Sequence, residues 1–490
     1  MNSNTFARES SHTVFCNRGR PGLRAVALLL LTGSLLFAFA GDAQVDDSPA
    51  KPRGKPDAKA WKKNRDEGQK AMAQGKEIQA ESFYEAALAE AERFDSKDVR
   101  LAESLTDLGF LRFASQDYAS AETLFGRAVT IRRGELNRLL EAQCLLYHAL
   151  ACRNLEKYDE AEKDLLEAQD IVDRKAGPDH PDDAIIRYHL ARVYQAKGDY
   201  SKAEPLLVGA VENFVNPPPQ IKVRQRLDPA LYGPAVIRYT YRPNYQYALD
   251  GLDSLVSIYV KLNQPDKAEK CYLKSVKVAR DSKASELMIQ SAELNLGSFY
   301  GAQKNYPKAQ ETLERLEHAQ EKSPGLSHPL VQQTLAKLGR VYEGEDRLPQ
   351  AEATYKKAAA AFEHAAGAPG QDALNATGGL AEFYMRHERY ADAASTFEGL
   401  LERAQKDRPD DVRDLPSWTQ LAAVYEKLGR DDGLAKVYQQ QITTYEKTFG
   451  RDSKALLKPL DNYAALLSKQ NRASEAEAVK ARANAIRGVQ

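Results

Sequence analysis

Residue types that commonly do chemistry are few and scattered in this sequence. Of its eight His, seven follow residue 40, and the His-Glu pair at 387–390 (HERY) lacks a second metal ligand. His180 and His328 each precede a Pro, in a loop position where a side chain caps the next helix more often than it binds metal. No nucleotide-binding glycine motif, zinc-protease motif or nucleophile elbow occurs in the sequence. We therefore predict no metal site, no cofactor and no enzymatic activity.

The four cysteines do not form an evident disulfide framework. Cys144 and Cys152 are eight residues apart on one predicted helix, about 12 Å along its axis, which is beyond the reach of a disulfide. Together with Cys271 they are predicted to be small buried hydrophobic residues. An intermolecular disulfide remains the alternative, because three cysteines follow the amino-terminal segment and three is an odd number.

Composition and charge bound the class of protein. The chain has 490 residues, of which 43% are apolar and 28% charged, so it should fold. Its 69 basic and 69 acidic residues balance, which argues against a protein that binds nucleic acid through net positive charge. We expect neither a nucleic acid nor a small-molecule cofactor as a partner.

The amino terminus has the order of an export signal. A basic stretch at 18–24 precedes an uncharged apolar run at 25–40, which ends in Ala38-Phe39-Ala40. We predict a signal peptide at 1–40 and a flexible, Pro-rich charged linker at 41–59, which places the chain in the periplasm or outside the cell. The alternative is an uncleaved amino-terminal membrane anchor, and this would be the chain's one link to a membrane.

One position recurs through the rest of the chain. It is followed four residues later by a large apolar residue in most copies, and successive copies are 40 to 42 residues apart except for one interval of 65. Its ten occurrences are Ala80, Ala121, Ala161, Ala203, Ala268, Ala309, Ala351, Ala393, Leu434 and Ala476. Self-similarity of this period indicates a repeat protein. We predict ten units: four at 60–215, an insertion at 216–247 and six at 248–490.

Each unit has the pattern of a helical hairpin. Twelve residues before the recurring position lies a small residue in nearly every copy, and nine before it a Tyr in six of them. Spacings of three and four place these residues on one helical face, and short turns such as Gly198-Asp199 separate the two helices. Such a hairpin can bury its apolar side only against the next hairpin.

These patterns resemble the tetratricopeptide repeat, with its Leu-Gly-x-x-Tyr element, turn and Ala-x-x-x-Phe/Tyr element. The period of about 42 is similar to that of the longer, kinesin-light-chain-type repeats rather than the usual 34. The resemblance implies an all-α fold, an alpha-alpha superhelix of about ten hairpins. It also implies that the first helix of each hairpin lines a groove that binds a peptide or protein.

Transferring the groove positions residue by residue gives a polar set of candidates: His189, Arg192, Ser257, Asn295, Ser298, Lys337, Arg340, Asn375 and Glu382. Arg, Lys, Asn and Ser suit an extended backbone or an acidic motif. The Lys-Asn-Asn-Lys-Arg clamp for carboxyl termini that some members of the family carry is not present in order. Recognition of chaperone tails is therefore disfavoured.

The insertion differs from the repeats in charge and aromatic content. It has five basic residues against Asp228, and residues 235–241 alternate as a short strand would. Its candidate partner-binding residues are Arg224, Arg226, Tyr232, Arg238, Tyr239, Tyr241 and Arg242. Two interpretations stay open, a partner-binding loop and a loop that packs on the neighbouring helices.

The sequence thus favours a non-enzymatic exported scaffold or adaptor that binds a protein or peptide in its groove. One alternative is a membrane-tethered assembly factor of the cell envelope. The other is a repeat support for an unrecognised enzymatic site, which would need convergent His, Asp, Glu or Cys side chains.

Overall fold

A computed structural model describes residues 55–133, 138–177, 180–217, 221–224, 236–239, 243–322, 329–363 and 371–488. The chain divides into two compact units, which meet in sequence between Ser282 and Lys283. Within the described ranges, no helix is long and apolar enough to cross a membrane. The predicted signal and most of the linker lie outside those ranges.

Unit 1 consists of five helical hairpins and one short pair of strands. Its elements are α1 (Ala58–Ala73), α2 (Glu77–Ala91), α3 (Val99–Ala114), α4 (Tyr118–Arg132), α5 (Arg138–Asn154), α6 (Tyr158–Lys175), α7 (Pro181–Lys197), α8 (Tyr200–Val215), β1 (Ile221–Arg224), β2 (Val236–Tyr239), α9 (Tyr245–Lys261) and α10 (Pro265–Asp281).

Unit 2 consists of five further hairpins. Its helices are α11 (Glu286–Ala302), α12 (Tyr306–Lys322), α13 (Pro329–Gly344), α14 (Leu348–Glu363), α15 (Gln371–Arg386), α16 (Tyr390–Asp407), α17 (Leu415–Leu428), α18 (Asp431–Phe449), α19 (Leu457–Lys469) and α20 (Ala473–Gly488). Single 3-10 turns precede α17 and α19, at Val412–Asp414 and Lys454–Leu456.

The predicted all-α class and the ten hairpins are confirmed. Odd-numbered helices are the first and even-numbered helices the second of each hairpin, and within each unit consecutive helices pack on one another as in an α-solenoid. The recurring small position lies on the second helix in all ten, and it is at most 3% exposed in every copy. α20, the last helix, buries Ala476, Ala483 and Ile486 and exposes most of its other residues, as a terminal cap should.

In four hairpins a Gly on the first helix faces the large residue on the second. A Cβ added to Gly109 would lie 2.6 Å from the Phe125 ring, and one added to Gly339 would lie 2.9 Å from the Tyr355 ring. In both pairs the residues are 16 positions apart, the sum of the two sequence offsets. The recurring pattern therefore encodes the close approach of two helices.

Each hairpin turns on one residue in the left-handed backbone region. In three hairpins this residue is Gly, as at Gly198, whereas the other seven use a residue such as Asn263 or Lys304. The following N–H bonds to the carbonyl five residues earlier, for example Asp199 N to Tyr194 O at 2.8 Å. This bond satisfies a carbonyl at the end of the first helix, and it offsets the backbone strain of the turns that have a non-Gly residue in the left-handed region.

The insertion contains the strand predicted from the alternation at 235–241. β2 pairs antiparallel with β1, with Lys222 opposite Arg238 and Val223 opposite Ile237. The partner strand β1 was not predicted. After the insertion the backbone rejoins the solenoid where Asn244 N donates to Phe214 O at 2.8 Å.

Candidate functional site

The first helices that carry the predicted groove residues contact one another within each unit. The contacts join α5 to α7 and α7 to α9 in unit 1, and α11 to α13 and α13 to α15 in unit 2. His189 and Arg192 lie on α7 and Ser257 on α9, all in unit 1. The six candidates of unit 2 are distributed over three first helices: Asn295 and Ser298 on α11, Lys337 and Arg340 on α13, and Asn375 and Glu382 on α15.

The structure brings two of the predicted residues together with one that was not predicted. Arg153, near the end of α5, places its Nη1 3.2 Å from His189 Nδ1. Arg192, one helical turn after Tyr188 on α7, donates to the Tyr188 hydroxyl at 3.2 Å and lies 3.5 Å from the Ser254 hydroxyl on α9. We call Arg153, His189 and Arg192 the basic cluster; it joins three consecutive first helices.

Aromatic rings hold the basic cluster in place. The Tyr188 ring lies 4.9 Å from the His189 ring and 5.1 Å from the Tyr247 ring, both edge to face. Tyr247 in turn stacks on Phe214 at 5.2 Å. Burial raises the pKa of Tyr247 to about 12, so its hydroxyl stays protonated and uncharged at neutral pH. The aromatic rings therefore pack around the cluster, and the Tyr188 hydroxyl accepts a hydrogen bond from Arg192.

The charges of the basic cluster lack carboxylate partners among the described residues. His189 is 7% exposed, and its Nε2 has no hydrogen-bond partner there. Burial, and then the neighbouring Arg153 and Arg192, hold the pKa of His189 well below its usual value, so the ring is neutral. Burial and then Arg192 also lower the pKa of Arg153. The site thus concentrates positive charge and an unused buried polar atom.

The groove candidates of unit 2 are more exposed. Lys337 and Arg340 are exposed on α13, and Asn295 and Ser298 are half-buried on α11. Glu382 accepts a hydrogen bond from Gln420 on α17 at 3.1 Å. Among these candidates, the described side chains show no cluster comparable to that of unit 1. The Asn375 side chain lies outside the description, as do the side chains of the insertion candidates.

The repeated tyrosines are part of the packing between hairpins, as their strict periodicity predicts. Their hydroxyls donate to a Glu of the preceding second helix at 2.6 to 3.0 Å, in the pairs Tyr194–Glu162, Tyr259–Glu204, Tyr342–Glu314, Tyr384–Glu352 and Tyr425–Glu398. A Lys or Arg lies over each of these rings, such as Arg389 at 4.4 Å from the Tyr384 centroid. These rings are not a free stacking platform for a base or sugar.

A second polar cluster lies in unit 1, between α4 and α5. Glu122, His148 and Cys152 have potential ligand atoms within 4.8 Å of one another. However, Lys157 pairs with both oxygens of Glu122 at 2.7 Å. Burial opposes protonation of His148, but its 2.5 Å contact with Asp164 and its contact with Cys152 outweigh burial and raise its pKa to about 10. A protonated imidazole has no lone pair to offer a metal ion, so these three side chains do not indicate a metal site. The absence of a metal site stays a prediction.

Two smaller predictions concern single side chains. His180 caps α7, since its Nδ1 accepts from Asp182 N at 3.3 Å, which confirms its structural role. Cys144, Cys152 and Cys271 are buried, as predicted, and none of them forms a disulfide within the described part of the chain. His328 lies outside the described residues. Of the insertion candidates, Arg224 is in β1, and Arg238 and Tyr239 are in β2; Arg226, Tyr232, Tyr241 and Arg242 lie outside the described backbone.

Sequence reasoning missed Arg153, Tyr188, Tyr247 and Ser254. Arg153 carried a weak signal: it follows the small residue Ala149 by four positions, where other first helices have Met72, Phe113 or Val260. That offset places it on the face toward the next first helix. Tyr188 and Tyr247 fall outside the recurring aromatic positions, and only the packing of α7 against α9 brings them together.

Comparison with known proteins agrees with this repeat geometry. Tetratricopeptide repeat profiles match residues 141–214, 288–364, 250–282 and 417–452. No curated protein was found to match the chain.

Several solved structures resemble the chain at low identity. The apo form of RapI is 13% identical, with a TM-score of 0.48, and covers 79% of this chain and 98% of its own. The apo form of the quorum sensor NprR from B. thuringiensis is 15% identical, with a TM-score of 0.38, over 78% and 98%. A Podosopora anserina putative kinesin light chain is 19% identical, with a TM-score of 0.32, over 40% and 94%. The profile matches and the ten hairpins show that the chain contains tetratricopeptide repeats.

Proposed function

We propose that this protein is a non-enzymatic scaffold or adaptor that binds a protein or peptide along the first helices of its repeats. The observation that carries the proposal is the contrast between two kinds of position on the first helices. The recurring Tyr residues of α7 and α13 are hydrogen-bonded to Glu residues of the preceding hairpin. Other positions of the same helices carry basic side chains, of which Arg192 is half-buried and Lys337 and Arg340 are exposed. Polar groups on adjoining helices suit an extended ligand.

The basic residues of each unit provide a separate test. Arg192→Glu in unit 1 and Arg340→Glu in unit 2 reverse one groove charge each, and Lys436→Glu on the second helix α18 is the matched control, because Lys436 is exposed. Proteins captured by the full chain from the native organism's envelope or secreted fraction are identified by mass spectrometry. The proposal expects the groove variants to lose captured proteins that the control retains. It is wrong if both folded groove variants capture the same set as the unaltered chain.

Export through the residue 1–40 signal is part of the same proposal. The basic stretch, the apolar run of 16 residues and the Ala38-Phe39-Ala40 exit support it. We expect the mature chain to begin at Gly41, and mass measurement of its amino terminus tests this. A mass that retains residues 1–40 in a membrane fraction would instead support the anchored assembly factor.

A further inference from the structure

The half-buried arginines of the basic cluster differ from the fully buried carboxylates of this protein, which are paired. Glu141 pairs with Arg138 at 2.8 Å, and Asp414 pairs with Arg408 at 3.3 Å. Asp183, fully buried, pairs with Arg187. By contrast, neither Arg153 nor Arg192 has an ion-pair partner in the described part of the chain. Both guanidinium groups are half-buried and close enough for their like charges to repel, so a counter-charge from outside the described chain is the expected complement.

The hydrogen bonds identify what kind of group is missing. Arg153 has only N–H groups to donate, so its 3.2 Å contact makes His189 Nδ1 the acceptor. The neutral ring then carries its proton on Nε2, and this buried N–H donor has no acceptor among the described residues. The two half-buried guanidinium groups are the accessible donors, and no carboxylate among the described residues forms an ion pair with either of them. The missing group therefore carries negatively charged oxygens.

The surroundings favour a singly charged group over a phosphate. Asp250 lies on α9 near enough to Arg192 for the two charges to interact, although they form no ion pair. Its carboxylate repels a doubly charged phosphate more than a carboxylate. The guanidinium fork matches a carboxylate and a phosphate equally well, so it is the charge of Asp250 that favours the carboxylate. In addition, the sequence that leads into α9 carries five basic residues against one Asp, which suits an acidic partner.

We propose that the basic cluster binds an Asp or Glu side chain of an acidic peptide segment in the partner. This inference rests on the proposed function and names the chemistry of one part of the groove. Arg153 and Arg192 hold the two carboxylate oxygens, and His189 Nδ1 accepts from Arg153 and orients its guanidinium. Tyr188 and Tyr247 keep the three side chains in position.

A labelled decapeptide of alternating Glu and Ala, blocked at both ends, tests the proposal by fluorescence anisotropy with the full chain. Arg153→Gln and Arg192→Gln should each weaken binding by about tenfold or more, since each removes a charge-assisted hydrogen bond. Arg174→Gln is the control, because Arg174 is 75% exposed and pairs with Asp170. It should bind within about twofold of the unaltered chain. The same peptide should also shift the His189 Nε2 resonance in a nitrogen NMR spectrum.

Two further peptides identify the source of the carboxylate. A Gln-for-Glu peptide blocked at both ends should not bind, and the same Gln peptide with a free carboxyl terminus should bind no better. Tighter binding of that free terminus than of the Glu peptide would overturn the side-chain assignment. Tighter binding of a phosphorylated peptide than of the Glu peptide would overturn the assignment of a carboxylate as the bound group.

The stability of the variants separates this inference from a purely structural role. Without ligand, Arg153→Gln should be at least as stable as the unaltered chain, because it removes a buried charge next to another of the same sign. A large loss of stability would mean that Arg153 is a packing residue, and would overturn the inference. If the Arg variants stay folded and bind the Glu peptide unchanged, the inference is wrong. The proposed function then still stands if Arg340→Glu reduces the captured proteins, and fails if it does not.

Discussion

Gly109 on α3 offers the sharpest test of how the repeat pattern sets helix spacing. A methyl group at this position would lie 2.6 Å from Phe125 Cε1 and 2.9 Å from Cδ1. The Phe125 ring on α4 is 1% exposed, so it has no open space to move into. Gly109→Ala should therefore destabilise unit 1, although Ala normally favours a helix.

The magnitude follows from two opposing effects. Ala in place of Gly gains up to about 1 kcal/mol of helix stability. The added carbon lies roughly 1 Å inside normal contact distance, and overpacking of this kind costs about 1–3 kcal/mol. Ala381 and Phe397 form the equivalent pair in α15 and α16, both fully buried, so a hairpin can adjust to this combination. The net loss expected for Gly109→Ala is therefore about 1–2 kcal/mol.

Gly209 on α8 supplies a control in the same unit. A Cβ there would meet Arg187 Nη1 at an ordinary 3.5 Å, so Gly209→Ala should gain about 0.5–1 kcal/mol. Native-state hydrogen exchange is the suitable assay, because two compact units need not unfold together and a single melting temperature would mix them. Amides of α3 and α4 should exchange faster in Gly109→Ala and no faster in Gly209→Ala. Equal or slower exchange in Gly109→Ala would refute the role of the glycine in close approach.

Two further changes test packing and buried charge. Ala309→Leu on α12 should cost about 1–3 kcal/mol of stability by overpacking, because Ala309 is fully buried. Chemical denaturation, followed by hydrogen exchange in unit 2, measures this loss, and Gly399→Ala at an open site is the control. An unchanged stability of Ala309→Leu would mean that the repeat register is wrong. Burial raises the pKa of Asp183 to about 6, above its unfolded value of 3.8, so the folded state binds more protons and unit 1 should lose up to about 3 kcal/mol of stability as pH rises from 4 to 6. Asp183→Asn should flatten this dependence while Asp66→Asn, an exposed carboxylate, should not, and an unchanged slope in Asp183→Asn would contradict the assignment.

Sequence was sufficient for the hairpins because each depends on short-range periodicity. Spacings of three, four and twelve place Ala203, Ala191 and Tyr194 on the facing sides of two helices, and repetition distinguishes this pattern from chance. The turns were harder to predict from the sequence, since seven hairpins place a non-Gly residue in the left-handed conformation. There the main-chain bond to the preceding helix, rather than residue type, stabilises the turn.

The functional site was only half predictable for a related physical reason. His189 and Arg192 were found because they occupy repeated groove positions. Arg153 belongs to a different offset, and its contact with His189 depends on how α5 packs against α7, a distance that no sequence interval encodes. The insertion shows the same limit: alternation indicated β2, whereas β1 became evident only through pairing.

The repeats themselves explain where binding chemistry can be placed in such a protein. In nine of the ten hairpins an Ala of the second helix is buried in the hairpin interior. In five hairpins a Tyr of the first helix donates to a Glu of the preceding hairpin. Those positions are committed to stability in every copy. Residues that differ from copy to copy, such as Arg153 and His189, are free of this requirement, and they can hold unpaired charge at a cost confined to neighbouring hairpins. The departure of the basic cluster from the repeat pattern is therefore the feature that distinguishes a binding site from the framework that carries it.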